Sequence, residues 1–283
     1  MRDYFCGWYF KCQSDTQTLA IIPAMHIAND KSSCSVQLIT NEGAWNINFP
    51  YEEFSKIKNK FHIQIGENSF GNKGLRLSVH SDVCSASGYI EFGALTSIKY
   101  DIMGPFRYVP FMECRHSVIS MKHSVNGKIS INGIDYLFHN SDGYIEGDRG
   151  YSFPKNYVWT QCFFDGGSLM FSVADIPIGR FHFTGIIGIL YFHEKEYRIA
   201  TYLGAKAVRI ENGEIVIRQG HMILYAKLIE KYSHPLFAPV NGSMSRTIHE
   251  SASCRAYYHF KLNRQTIFSF ESSKASFEYE YLR

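Results

Sequence analysis

Turn dipeptides recur along the chain: Asn126-Gly127, Asn132-Gly133, Asp142-Gly143, Asp165-Gly166, Asn212-Gly213 and Asn241-Gly242. The segments between them are short and rich in Ile, Val, Tyr and Phe. A two-residue type I′ turn needs positive φ at both central positions, which Asn-Gly supplies with little strain. Two apolar runs split by that dipeptide therefore read as a β-hairpin. Lys128–Asn132 with Ile134–His139 form one such pair. Glu214–Arg218 and Met222–Glu230, around Gln219-Gly220-His221, form another. No window carries a sustained helical period with capping signals. The best helix candidate is Tyr51–Lys58, about two turns following Pro50. Strand, turn, strand at regular spacing predicts an all-β chain of antiparallel barrels or half-barrels.

A length of 283 residues suggests about two domains. The polar turn at His139–Asp142 is the expected boundary, giving domains 1–140 and 141–283. Aromatics are 16% of the chain, a composition suited to pleated, half-buried surfaces. The net charge of +3 comes without a Lys/Arg cluster, which argues against a nucleic-acid partner. No run approaches the roughly 18 apolar residues of a membrane helix, and MRDYFCGWYFKC has no signal-peptide core. The expectation is a soluble, cytoplasmic protein whose contact with a membrane surface is at most transient. Seven cysteines, widely spread and without a CxxC pair, argue against a disulfide framework and a structural zinc site. They fit a reducing compartment.

Three segments concentrate functional side chains. The first is Phe5-Cys6-Gly7-Trp8-Tyr9-Phe10-Lys11, followed by Leu19-Ala20-Ile21-Ile22-Pro23. The second is Met103-Gly104-Pro105-Phe106, continued by Pro110-Phe111-Met112-Glu113-Cys114-Arg115-His116. The third is Gly143-Tyr144-Ile145-Glu146-Gly147-Asp148-Arg149-Gly150, then Ser152-Phe153-Pro154-Lys155 and Trp159-Thr160-Gln161-Cys162. Together, from Tyr4 to about Pro239, these resemble the tocopherol cyclase-like family, itself related to lipocalin-like carotenoid hydratases. The opening resembles its FEGWY and IPG signature. The third segment resembles Y-x-E-x-x-W-G-x-x-FP-x-x-W-x-W-x-Q. The sequence departs from the pattern at Cys6 (Glu in the family), Arg149 (Trp) and Tyr157 (Trp). The resemblance implies two lipocalin-like β-barrel or half-barrel domains packed together. The implied activity is a cofactor-independent, proton-driven cyclisation of a prenylated quinol or related isoprenoid lipid, of intramolecular lyase or isomerase type.

Such a reaction protonates a double bond and captures the resulting cation with a phenol oxygen. It transfers no electrons, so neither a metal nor a cofactor is expected. Glu146 takes the motif's carboxylate position and is the first candidate acid, since a carboxyl in an apolar pocket can hold its proton. Asp148 and Tyr144 share its face because side chains two apart on a strand point together. Glu146 in a salt bridge with Arg149 or Lys155 is the structural alternative. Trp8 and Trp159 are candidate aromatic walls able to stabilise a cation, or else ordinary core residues. Gln161 is a candidate partner for a quinol hydroxyl, or a satisfied interior amide. His116 is a second candidate acid or base and His249 a candidate ligand contact. Either is equally readable as a hydrogen-bonded structural residue. His249-Glu250 lacks the second histidine of a zinc protease helix. Cys6 reads as a small buried hydrophobe, having no histidine nearby in the sequence.

The rival class is a non-catalytic carrier of an isoprenoid or other apolar ligand, which has no use for a carboxyl inside its pocket. A small apolar, prenylated or polyene ligand is expected in either case.

Overall fold

The computed structural model describes residues 3–28, 31–58, 60–110, 112–178, 181–230 and 234–281. Phe111 of the second motif segment lies outside them. The chain forms two compact units. The first comprises Met1–Lys99, Cys114–Phe153 and Leu236–Thr247; the second comprises Tyr100–Glu113, Pro154–Pro235 and Ile248–Arg283.

Up to Gly150 the strands are β1 (Tyr4–Gln13), β2 (Thr18–Ala28), β3 (Lys31–Ile39), β4 (Ala44–Pro50), β5 (Phe54–Lys56), β6 (His62–Ile65), β7 (Asn68–Gly71), β8 (Gly74–His80), β9 (Ser85–Phe92), β10 (Cys114–Ile131) and β11 (Ile134–Gly150). Beyond it come β12 (Tyr157–Phe164), β13 (Gly167–Ile178), β14 (Phe181–Phe192), β15 (Lys195–Ala200), β16 (Lys206–Glu211), β17 (Glu214–Gln219), β18 (Met222–Glu230), β19 (His234–Val240), β20 (Ser243–Leu262) and β21 (Gln265–Glu280). Both sheets are antiparallel and share one topology. The first runs β4-β3-β2-β1-β11-β10-β9-β8-β7-β6-β5, and the second β15-β14-β13-β12-β21-β20-β18-β17-β16. In each, a long final hairpin returns to pair with the first strand. The architecture is all-β and lipocalin-like.

The expected hairpins form where both turn residues tolerate positive φ. Asn132 (φ 50°) and Gly133 (φ 84°) close β10–β11, and Asn212 (φ 52°) and Gly213 (φ 78°) close β16–β17. The pairing of Gln219 with Met222 closes β17–β18. Two of the dipeptides are not turns. Asn126-Gly127 lies inside β10 at a register shift, and Asp142-Gly143 lies inside β11. The expected boundary at His139–Asp142 therefore falls within a strand. The segment carrying Glu146 and Asp148 pairs with β1 along its length and belongs to the first unit. The Tyr51–Lys58 helix does not form. A single 3₁₀ turn at Tyr51–Glu53 runs into β5, because Phe54–Lys56 pairs with β6.

Each sheet curls around its own apolar cluster. In the first unit Trp8, Phe10, Leu19, Val36, Ile63, Phe70, Leu77, Ile129 and Ile145 come from strands all around the sheet. Where one face meets solvent the strand alternates, as in β8, with Leu75, Leu77 and Val79 buried and Arg76 and His80 exposed. β1 and the last residues of β11 behave differently. Their core-facing residues are buried, and so are Tyr9, Lys11, Tyr144 and Glu146 on the opposite face. Burying polar groups is costly unless they are hydrogen-bonded or paired. That face is where a site is expected.

Candidate active site

The third motif segment lies on β11 with Tyr144, Glu146 and Asp148 on one face, as the two-residue period requires. Across the hairpin, His116 on β10 stands opposite Asp148, and Val118 opposite Glu146. The imidazole is thereby set between two carboxylates. His116 Nδ1 lies 2.8 Å from Asp148 Oδ1, and Nε2 lies 3.1 Å from Glu146 Oε2. Tyr144 donates its hydroxyl hydrogen to the same Glu146 oxygen at 2.6 Å. Cys114 Sγ approaches Asp148 Oδ1 at 3.4 Å.

The four groups form a linear relay with a buried and an accessible end. Tyr144 is fully enclosed and Glu146 nearly so, whereas the Asp148 side chain keeps 22% of its surface exposed. Burial works against a charge on His116, but the nearby charges of Asp148 and Glu146 outweigh it and raise its pKa well above the ordinary value. The two carboxylates thus favour the protonated form of the ring. Burial first, and the Glu146 charge second, raise the Tyr144 pKa, so this phenol remains a donor. Glu146 and Asp148 lie on one face of β11, with Asp148 the accessible member and Glu146 the inner one. The partner found for Glu146 is His116, a cation that the sequence did not associate with it.

His116, Glu146 and Asp148 bring one nitrogen and two oxygen donors within 4.8 Å of one another. The two carboxylates, however, address different ring nitrogens, Asp148 through a hydrogen bond at Nδ1 and Glu146 through an ion pair at Nε2. An ion here would have to break one arm of the relay.

The remaining candidates fall elsewhere. Trp8 faces the apolar core on the other side of the sheet, backed by Gly147 and with Lys56 Nζ 4.9 Å from its ring centre. It does not line the relay, because its place on β1 alternates with Gly7 and Tyr9, which stand opposite Asp148 and Glu146. Cys6 shares the core face with Trp8, and burial raises its pKa, keeping the thiol protonated. Trp159 and Gln161 belong to the second unit, on the face of β12 opposite Val158 and Cys162 of that unit's core. Gln161 is fully buried, and neither of its amide atoms has a hydrogen-bond partner among the described residues. His249, also in the second unit, is exposed; its backbone N–H bonds Glu280 Oε1. Sequence reasoning missed Cys114 beside Asp148, and Gly7, which stands opposite Asp148 on β1 where a Cβ would press on Ala24 at 3.3 Å.

Fold and site together define a lipocalin-like all-β protein with a buried histidine–carboxylate relay opening at an aspartate. No family model matches the chain, and no curated protein does either. Solved structures do. Kievitone hydratase from Nectria haematococca superposes with a TM-score of 0.59 at 9% identity, covering 99% of this chain and 89% of that one. CghA, solved with Sch210972, gives 0.62 at 7% identity with coverage of 99% and 89%. A protein of Nitrosomonas europaea with a provisional AttH designation gives 0.55 at 10% identity, covering 100% and 93%. At these identities the likeness establishes the fold. Among the described residues no helix is long and apolar enough to cross a membrane.

Proposed function

We propose that the chain is an acid–base enzyme that adds an O–H group across a double bond of an apolar, prenylated or polyene substrate. Where the O–H is the substrate's own phenol, the reaction is the quinol cyclisation implied by the tocopherol cyclase-like resemblance. The observation that carries this reading is the buried imidazole of His116 held between Glu146 and the accessible Asp148. A carrier has no need of such a relay. The occurrence of a hydratase on the same fold supports the same class of chemistry.

The relay closes a proton cycle without another reactant. His116 passes a proton to Asp148 through their hydrogen bond, and Asp148 delivers it to the alkene carbon. The cation at the neighbouring carbon is captured by the phenol oxygen, and the phenol proton returns to the Asp148 carboxylate and from it to His116. One C–H and one C–O bond form, while the C=C π bond and one O–H bond are lost. The product is an isomer of the substrate. Glu146, fixed by Tyr144, acts as a positioning residue that holds the ring and balances its charge. Such general acid–base transfer contributes roughly 10²–10⁴-fold. The test is turnover of 2-geranylhydroquinone by the wild type, Asp148→Asn and His116→Gln, followed by chromatography. The reading requires chromanol product from the wild type and a loss of about that size in both variants. Equal rates in all three would return the protein to the carrier class.

A further inference from the structure

Asp148 Oδ1 has a second neighbour besides His116. Cys114 and His116 are two residues apart on β10, so their side chains share the face that Asp148 presents on β11. His116 stands directly opposite Asp148. Cys114 stands opposite Gly150, which has no side chain to keep the thiol off the diagonal. Cys114 Sγ therefore reaches Asp148 Oδ1 at 3.4 Å, while His116 Nδ1 lies 2.8 Å from the same oxygen. One sulfur, one nitrogen and one oxygen meet at the end of the relay where the Asp148 side chain is 22% exposed. Of the seven cysteines, only Cys6 and Cys114 are not buried.

Thiolate, imidazole and carboxylate are the ligand types of zinc, which holds them tetrahedrally at roughly 2.0–2.3 Å. Those bond lengths set neighbouring ligand atoms about 3.4–3.6 Å apart. The Sγ–Oδ1 separation is 3.4 Å as it stands, and the 2.8 Å between Nδ1 and Oδ1 has to open by roughly 0.6 Å. What lies between these atoms is hydrogen. A zinc ion displaces the thiol proton and, when the ring is protonated, the Nδ1 proton. Two protons leave as a dication enters, so the charge of the cluster is conserved. Glu146, 3.1 Å from Nε2 and held by Tyr144, already stands where the carboxylate of a carboxylate–histidine–zinc triad stands. The partial exposure of Asp148 and Cys114 gives the ion a way in and a water a fourth position.

We infer that Cys114, His116 Nδ1 and Asp148 form a binding site for Zn²⁺, and that the ion silences the relay by taking the place of the proton between His116 and Asp148. Zinc here is an inhibitor and not a cofactor, because it occupies the arm through which His116 supplies Asp148. The thiolate favours zinc over the hard cations Mg²⁺ and Ca²⁺. Since the ion competes with protons, its affinity rises with pH. The site stands on the geometry of the three side chains, and only the inhibition rests on the reading of the relay as catalytic.

The test titrates the full, reduced chain with ZnCl₂ and with CoCl₂, a coloured ion that accepts the same tetrahedral ligands. The wild type takes up one equivalent of cobalt with thiolate-to-cobalt charge-transfer absorption and the d–d bands of a tetrahedral site, and zinc displaces it. Cys114→Ala loses these bands and binds zinc more weakly by at least the roughly 10–100-fold that loss of an outer-shell partner costs. Cys6→Ala, the control for the other thiol that is not buried, keeps them. Should Cys114→Ala not fold, Cys114→Ser is read in its place. Zinc slows turnover of 2-geranylhydroquinone by the wild type and by Cys6→Ala, excess chelator restores it, and MgCl₂ leaves it unchanged. A wild type without a thiolate–cobalt band, or bands equally strong in Cys114→Ala, overturns the site. Zinc bound at Cys114 with turnover unchanged overturns the inhibition. A wild type without turnover under any condition fails the proposed function, and the cobalt bands still decide the site.

Discussion

Glu146→Gln probes the relay with little change of shape. Tyr144 and His116 both address the same Glu146 oxygen, Oε2, which the amide carbonyl can replace. What the substitution removes is the buried negative charge facing the imidazolium. Breaking a buried ion pair by deleting one partner costs roughly 3–5 kcal/mol. Asp148 remains on the other ring nitrogen at 2.8 Å, so the lower end, about 3 kcal/mol, is expected. For a unit of this size that is a fall of about 6–12 °C in Tm. The effect depends on pH. His116 has a raised folded pKa, so its contribution is fully present below the unfolded value of about 6.5 and is lost as pH rises through the folded value. The Tm gap between wild type and variant should therefore be full near pH 6 and close in alkaline solution. Differential scanning calorimetry of both proteins across that range measures it. A gap below 1 °C at pH 6, or one that widens with pH, would refute the assignment of Glu146 as the partner of a charged His116.

Other outcomes follow from the same structure. Burial lowers the pKa of His26 and of His123 to about 4. Each is neutral when folded but protonates near 6.5 when unfolded, so stability is complete above about 6.5 and falls as pH drops towards 4, by up to about 3 kcal/mol per histidine. Urea titrations between pH 7 and 4 should show this loss, and a flat profile would contradict it. Cys6→Ser should fold and keep most of its turnover, because the thiol is protonated and lies on the core face, away from the relay. A large rate loss at unchanged Tm would make that thiol chemical. Turnover should survive excess chelator, since the relay uses only protons; stoichiometric zinc lost together with activity would count against the mechanism.

Much of this was legible in the sequence because strands and turns write themselves locally. Asn132-Gly133 and Asn212-Gly213 announce their hairpins, and alternation alone places Tyr144, Glu146 and Asp148 on one face. Turns made without glycine were harder to see. His193-Glu194 and Asn263-Arg264 both take positive φ at two successive residues, held there by the strands on either side. The histidine's place was illegible for a sharper reason. Hairpin register counted back from the turn pairs Ile131 with Ile134, and continued without a break would set His116 against Arg149, on the wrong face for the relay. Register shifts along β10, between Val125 and Gly127, Ser120 and His123, and Val118 and Ser120, move the pairing so that His116 meets Asp148. A shift of one residue exchanges the two faces of a strand, and no local signal marks where bulges fall. The inner role of Glu146 was hidden likewise, since it depends on which face the rest of the first unit encloses.

The central claim is that Asp148, supplied by His116, delivers a solvent-exchangeable proton to carbon and recovers it from oxygen. Turnover of 2-geranylhydroquinone in D₂O, read by mass spectrometry and NMR of the product, tests it most directly. The relay predicts a chromanol carrying one non-exchangeable deuterium, on the ring carbon next to the new C–O centre, formed by wild type and nearly abolished in Asp148→Asn. Substrate recovered unchanged, or product formed as fast by Asp148→Asn as by wild type, would contradict it.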